Sequence, residues 1–202
     1  MRLLYTLLWY LVLPVLFVRL WWRGRRAPAY RRRWKERLAL GLRSRRLRGS
    51  IWVHAVSVGE TLAAAPLVHA LLERYPETPL VVTTTTPTGS ERVQALFGDR
   101  VTHVYAPWDL PGALARFFRA FDPRLILVME TELWPNLVHA AWLRQVPVVL
   151  VNGRLSQSSY RGYARVPALT GPMLASLDRL LVQTPEEADR FRRLGAQADQ
   201  VE

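Results

Sequence analysis

From residue 50 onward, apolar and polar positions alternate in blocks. Short apolar runs at 51–56, 80–84, 101–106, 124–129, 147–151 and 179–183 are each followed by Ser, Thr, Pro, Glu or Asn. Runs of this length fit strands buried on both faces. Between them lie segments that read as helices: 60–75, 90–97, 111–121, 134–144, 158–166, 168–176 and 186–194. Gly195 stops the last, and 85–89 reads as a turn. This alternation with short connections predicts an α/β fold. It is a Rossmann-like parallel sheet with right-handed crossovers and helices on both faces, over residues 50–202.

The pattern upstream is different. Residues 3–18 carry no charge, and Arg19, Leu20, Trp21 and Trp22 follow. Spanning a bilayer takes about 20 apolar residues, so the run is slightly short unless Arg19 snorkels and the Trp pair sits in the interface. A secretory signal has its basic residues before the apolar run, whereas here a dense basic block follows it. A spanning helix with its basic end in the cytoplasm obeys the positive-inside rule, and a helix lying in the interface is the other serious option. Residues 1–22 are therefore expected to be a membrane anchor of open depth, with Pro14 as a point of kinking.

Charge sharpens this division. The net charge is +12, but residues 19–48 alone hold thirteen basic residues against Glu36, and residues 49–202 are close to neutral. The whole excess abuts the apolar N-terminus, which makes nucleic acid a poor partner and an anionic membrane surface a good one. Residues 23–49 form a basic juxtamembrane segment, expected as a helix with a cationic face. Arg31, Arg32, Arg33 and Lys35 are its candidates for membrane and lipid-phosphate contact, each such charge contributing about 1 kcal/mol near an anionic leaflet.

The chain has no cysteine, which removes disulfides, thiolate metal sites and a cysteine nucleophile. His54, His69, His103 and His139 show no metal-motif spacing, and core or surface roles fit them better than ligation. There is no Gly-x-Gly-x-x-Gly after a strand, no Walker-type Gly-Lys-Ser/Thr and no Gly-x-Ser-x-Gly elbow. Neither a cofactor nor a metal is expected.

Candidate chemistry gathers at the C-terminal ends of the predicted strands, the ligand edge of an open α/β sheet. Ser57, Gly59 and Glu60 follow the first, and Thr85, Thr86, Thr88 and Gly89 the second. Glu130 and Glu132 follow the fourth, Asn152 and Arg154 the fifth. Each signal alone is weak. A carboxylate in the first turn of a helix is expected from the helix dipole, and capping accounts for Glu60 taken alone. Threonines at a strand end serve the backbone as readily as a phosphate. Glu130 and Glu132 could cap the following helix or orient Arg154. What raises their weight is convergence on one edge.

Taken in order, His54-Ala-Val-Ser-Val-Gly-Glu60, Thr84-Thr-Thr-Pro-Thr-Gly89, Tyr105-Ala-Pro107, Glu130-Thr-Glu-Leu-Trp-Pro-Asn136 and Asn152-Gly-Arg-Leu-Ser156 closely resemble the 3-deoxy-D-manno-octulosonic acid (Kdo) transferases of lipopolysaccharide assembly. The resemblance implies a GT-B glycosyltransferase whose N-terminal Rossmann-like domain takes the lipid A precursor. It also implies that CMP-Kdo is held mainly by a C-terminal domain, and that the reaction is inverting and metal-independent. Glu60 is implied to be the general base. The other strand-end residues named above are implied to bind acceptor or support the site. The cytoplasmic face of the inner membrane is the implied location. The chain ends about where the family's second domain begins, so residues 1–202 alone are expected to be inactive. Another GT-B lipid glycosyltransferase and a non-catalytic membrane adaptor are the competing readings.

Overall fold

The computed structural model describes residues 1–42 and 47–202. Six strands form one parallel sheet: β1 (Ser50–His54), β2 (Leu80–Thr84), β3 (Thr102–Tyr105), β4 (Pro123–Met129), β5 (Val148–Gly153) and β6 (Arg179–Val182). Their order is β3-β2-β1-β4-β5-β6. The chain runs outward from β1 to β3, then returns to lay β4 on the other side of β1. The cleft above β1 and β4 is therefore the topological switch point, where ligands bind in open α/β sheets.

Alternate residues of each strand enter opposite cores. Trp52, Val81, Val104, Ile126, Val128 and Leu150 face one way. They pack under α4 (Pro111–Phe121), α5 (Pro135–Trp142), α6 (Gln157–Tyr163), α7 (Pro167–Ala175) and α8 (Pro185–Arg193). Ile51, Val53, Leu80, Val82, Leu127 and Met129 face the other, under α2 (Val58–Arg74) and α3 (Pro87–Phe97). The Rossmann-like sheet with helices on both faces is thus the observed fold. Trp52 is fully buried and lies 4.2 Å from Phe117, centroid to centroid. Each such ring contributes roughly 1.5–3 kcal/mol by leaving water.

Most element boundaries differ from the sequence reading by one or two residues, but three differences matter. Residues 87–89 are not a turn but the first turn of α3: Thr86 is the N-cap, accepting from Gly89 N at 3.1 Å, and Pro87 takes the position that needs no N–H. The N-terminal helix α1 runs from Arg2 to Arg26, through Pro14 and past Arg19 into the basic block. The basic segment is not one cationic helix. Its described part folds as two 3₁₀ turns, Pro28–Arg31 and Trp34–Leu38, while 43–46 lie outside the described residues.

α1 is docked on the domain. Trp9, Leu13, Leu16, Phe17 and Leu20 pack on Trp108, Leu110 and Ala113, with Phe17 edge-on to Trp108 at 4.9 Å. At its N-terminal end, Tyr5 Oη donates to Asp109 Oδ2 at 2.9 Å, while Arg2 and Thr6 donate to Asn136 Oδ1. The basic segment is docked too. Arg33 forms a bidentate pair with Glu36, donates to Ser90 Oγ and lies over the Tyr105 ring. The Arg37 guanidinium is buried, donates to Thr85 O and stacks on the same ring from 4.4 Å.

Candidate active site

Glu60 sits in the first turn of α2, directly after β1, and is 5% exposed. Ser57 caps the helix by accepting from Glu60 N at 3.2 Å. The Glu60 carboxylate turns back and accepts the Val56 N–H at 2.9 Å. This resembles a capping box, with the reciprocal bond reaching one residue further upstream. One carboxylate oxygen is held by that bond.

The second loop braces the first. Thr85 N and Thr85 Oγ1 both donate to Val56 O, at 3.1 and 2.8 Å. Gly89 lies against Thr84: an added Cβ would come to 3.0 Å from Thr84 Cβ and 3.1 Å from Thr86 Oγ1. The glycine lets α3 approach the end of β2 closely, with little room for a methyl group. Gly59 is different, because a Cβ there would meet only Ser57 Oγ, at 3.8 Å. Among the described residues, apart from its chain neighbours and its own helix backbone, no other heavy atom comes within 4 Å of that Cβ, which leaves open space at Gly59, the residue before Glu60.

From the other side of the switch point come Glu130 and Glu132. Glu130 has φ +55°, and its N–H donates to Val151 O at 2.9 Å. Glu132 accepts from the Trp134 indole at 2.9 Å, and burial pushes its carboxyl above the usual range. The Glu60 carboxyl is also raised, to about 7. Burial is the largest cause; hydrogen bonds from Ser57 and Val56 oppose it, and the negative charges of Glu132 and Glu130 reinforce it. A carboxylate poised near neutrality can both take and release a proton at physiological pH.

Behind this site lies His54, fully buried. Its Nδ1 is 2.9 Å from Thr83 Oγ1, which also accepts from Trp52 Nε1 at 2.8 Å. Its ring stands edge-on to Trp134 at 4.5 Å. Burial pushes the imidazole down to about 3, so it is neutral. His54 links the β1 core to the Glu130–Trp134 loop and is a packing residue. Its neighbours come from β2 and the β4–α5 loop, distant in sequence, so no local signal places it.

The structure brings Ser57, Gly59, Glu60 and Thr85 together, sets Thr86, Thr88 and Gly89 at the start of α3, and brings Glu130 and Glu132 electrostatically onto Glu60. Asn152 and Arg154 are further along the edge. Asn152 has φ +57° and accepts from Gln183 Nε2 at 2.8 Å. Arg154 is exposed; its carbonyl accepts from Thr131 Oγ1, and Glu132 is bonded to Trp134, so Glu132 does not orient the guanidinium. Nor do Glu130 and Glu132 cap α5. Asp109 does, accepting from Asn136 N and Leu137 N at 3.0 and 2.7 Å. It comes from the loop after β3, and no spacing in the sequence points to it. Of the basic candidates, Arg31, Arg32 and Lys35 are exposed and Arg31 rests on Trp21, whereas Arg33 is committed to Glu36, Ser90 and Tyr105.

A six-stranded parallel sheet that reverses at β1 and β4, with Glu60 buried at that switch point, defines a Rossmann-like domain. Solved structures agree on the fold. The domain matches UDP-GlcNAc 2-epimerase from Neisseria meningitidis with a TM-score of 0.56 at 14% identity, over 75% of this chain and 45% of that one. It matches the S. aureus protein MnaA, solved with UDP, with a TM-score of 0.55 at 20% identity, over 76% and 44%.

Sequence comparison narrows the class. Residues 32–202 match the family model for 3-deoxy-D-manno-octulosonic-acid transferase. The chain is 41% identical to the 3-deoxy-D-manno-octulosonic acid transferase of Haemophilus influenzae, over 96% of this chain and 46% of the relative. It is 45% identical to that of Bordetella pertussis, over 75% and 36%. The chain belongs to the Kdo transferase family, and it spans about half the length, or less, of these curated relatives.

Proposed function

We propose that this chain is the acceptor-binding half of an inverting Kdo transferase. In this reading it presents the lipid A precursor to CMP-Kdo at the cytoplasmic face of the inner membrane. Residues 1–22 act as the anchor, 23–49 as the basic segment at the lipid surface and 50–202 as the acceptor domain. The donor is held by a second Rossmann-like domain, and residues 1–202 alone do not turn over.

The observation that carries the reading is Glu60: a carboxylate held at the switch point, with a proton affinity near neutrality and open space beside Gly59. As general base it takes the proton from an acceptor hydroxyl. That oxygen attacks the anomeric carbon from the face opposite the leaving group, and CMP departs with the bonding pair. The Val56 N–H fixes one carboxylate oxygen, leaving the other for the substrate. Thr86, Thr88 and the N-terminus of α3 supply donors for an anionic acceptor group. Exposed Arg31, Arg32 and Lys35 meet lipid phosphate, whereas Arg33 acts by fixing the basic segment to the domain.

The test is Glu60→Gln in the protein joined to its donor domain, assayed with CMP-Kdo and lipid acceptor. Transfer is expected to fall about 10²–10⁴-fold with acceptor binding retained. Near-normal transfer would leave Glu60 as a helix-start carboxylate only.

A further inference from the structure

From Leu3 to Val18, α1 carries no charge on any side. Its half-buried positions form a stripe: Tyr5, Trp9, Leu13, Phe17 and Leu20 recur at helical spacing, and Gly24 is buried at the end. The opposite face is open to solvent, with Leu4, Leu11, Val15, Val18 and Trp22 between 51% and 67% exposed. A helix without a polar face is stable only when every side is covered. The domain covers one side.

We propose that the other side is covered by one leaflet of an anionic bilayer, and that α1 lies in the plane of that leaflet instead of crossing it. This rests on the membrane reading above and adds the anchor's geometry to it. The docked stripe runs the whole length of the helix. Tyr5 is bonded to Asp109 and Arg2 to Asn136 at one end, and Arg31 Nε donates to Trp21 O at the other. Arg2 and Trp21 are about 28 Å apart along a helix rising 1.5 Å per residue. That is close to the roughly 30 Å of a hydrocarbon core. An upright α1 would therefore carry Asp109, Asn136 and the start of α5 to the far side of the membrane. It would draw the loop at Trp108–Ala113, which packs along α1, into the acyl chains with its backbone polar groups, where unsolvated polar groups are prohibitive. A helix lying flat immerses only its outward face.

Charge complementarity selects an anionic leaflet as the occupant. No acid precedes Glu36 in the sequence. Arg25 lies over the Trp21 ring at 4.5 Å and Arg23 over Tyr30 at 4.6 Å, which places cations and aromatic rings together at headgroup level.

The absence of native cysteine allows a clean test. Single cysteines are placed at Leu4, Leu11 and Val18 of the full chain, on the outward face, and labelled with the environment-sensitive dye NBD. The proteins are bound to vesicles of equal parts phosphatidylethanolamine and phosphatidylglycerol, after circular dichroism confirms their fold. All three probes are expected at one shallow depth with lipid-borne quenchers, and all are expected to lose their fluorescence completely to dithionite added outside. Leu4 and Val18 probes separated by about 21 Å along the membrane normal, with the Leu4 probe protected from dithionite, would establish a spanning helix. That result would overturn this proposal while keeping membrane association. Failure of the native chain to bind these vesicles would overturn both. So would cross-linking of two copies through these positions in solution without vesicle binding, which would assign the face to a second copy.

Discussion

Tyr5 Oη and Asp109 Oδ2 meet at 2.9 Å across 104 residues of sequence. The same carboxylate accepts two backbone N–H groups at the start of α5. One buried side chain therefore holds both the α1 contact and the orientation of the helix that follows the Glu130–Trp134 loop. Asp109→Ala removes the cap and leaves the Asn136 and Leu137 N–H groups and the Tyr5 hydroxyl without their acceptor. It is expected to cost about 2–4 kcal/mol, against about 0.5–1.5 kcal/mol for Tyr5→Phe. Urea unfolding in mild detergent measures both, and equal effects would show that the cap is unimportant.

Glu60 ties activity and stability to pH in opposite ways. As the proposed base Glu60 must be ionised, so kcat/KM of the protein joined to a donor domain is expected to rise about tenfold per pH unit below about 7 and level off above it. Glu132→Gln removes a negative neighbour and is expected to move that limb to lower pH. For stability the sign is reversed. A carboxyl raised from 4.5 to about 7 binds its proton more tightly in the folded state. Its contribution is greatest below the unfolded pKa and is lost as pH rises through the folded one. Glu60→Gln should therefore gain stability relative to the parent across that window, by about 1–2 kcal/mol after solvent screening. A pH–rate profile flat across the window would remove Glu60 from the proton transfer.

Two glycines near the site separate packing from function. Gly89→Ala forces a methyl against Thr84 and is expected to cost about 1–3 kcal/mol. Gly59→Ala meets open space and should leave stability within about 0.5 kcal/mol of the parent. If the acceptor occupies that space, the Gly59 variant loses transfer through a raised acceptor KM. Thermal melts and acceptor titrations read the two effects separately, and an unchanged KM would place the acceptor elsewhere.

Removing Met1–Trp22 does more than cut a tether. Trp108, Leu110 and Ala113 lose the residues that cover them, and Asp109 loses Tyr5. The shortened chain is expected to associate with itself, or to stay on vesicles even in high salt, where a purely electrostatic contact is screened. Gel filtration and a salt-dependent sedimentation assay distinguish this from a monomer that salt releases.

The β-strands and the switch-point loops were legible in the sequence because buried parallel strands write continuous apolar runs, and their ends write Ser, Thr, Glu and Asn. Glu60 needed its neighbours, since by local chemistry it is only a helix-start acid. The Arg23–Arg48 block misled. Its pattern of arginines and aromatics resembles a cationic helix, yet Arg33 and Arg37 are bound to Glu36, Thr85 and Tyr105. Thr85 and Tyr105 are distant in sequence, and charge density alone cannot distinguish an arginine facing lipid from one stacked on a tyrosine. Asp109 was visible as a polar residue at the end of the third strand, but its capping role was not, because all of α4 and β4 separate it from the N–H groups it serves.

Arg2, Tyr5 and the apolar stripe from Trp9 to Leu20 hold α1 against the domain. A tethered domain would sweep a range of heights above the lipid. If α1 lies in the leaflet as proposed, Glu60 is kept at a fixed elevation and tilt, and the reach of a headgroup becomes a selection criterion in its own right. A sugar hydroxyl standing too close to the acyl chains, or too far from them, misses the carboxylate however well its chemistry fits.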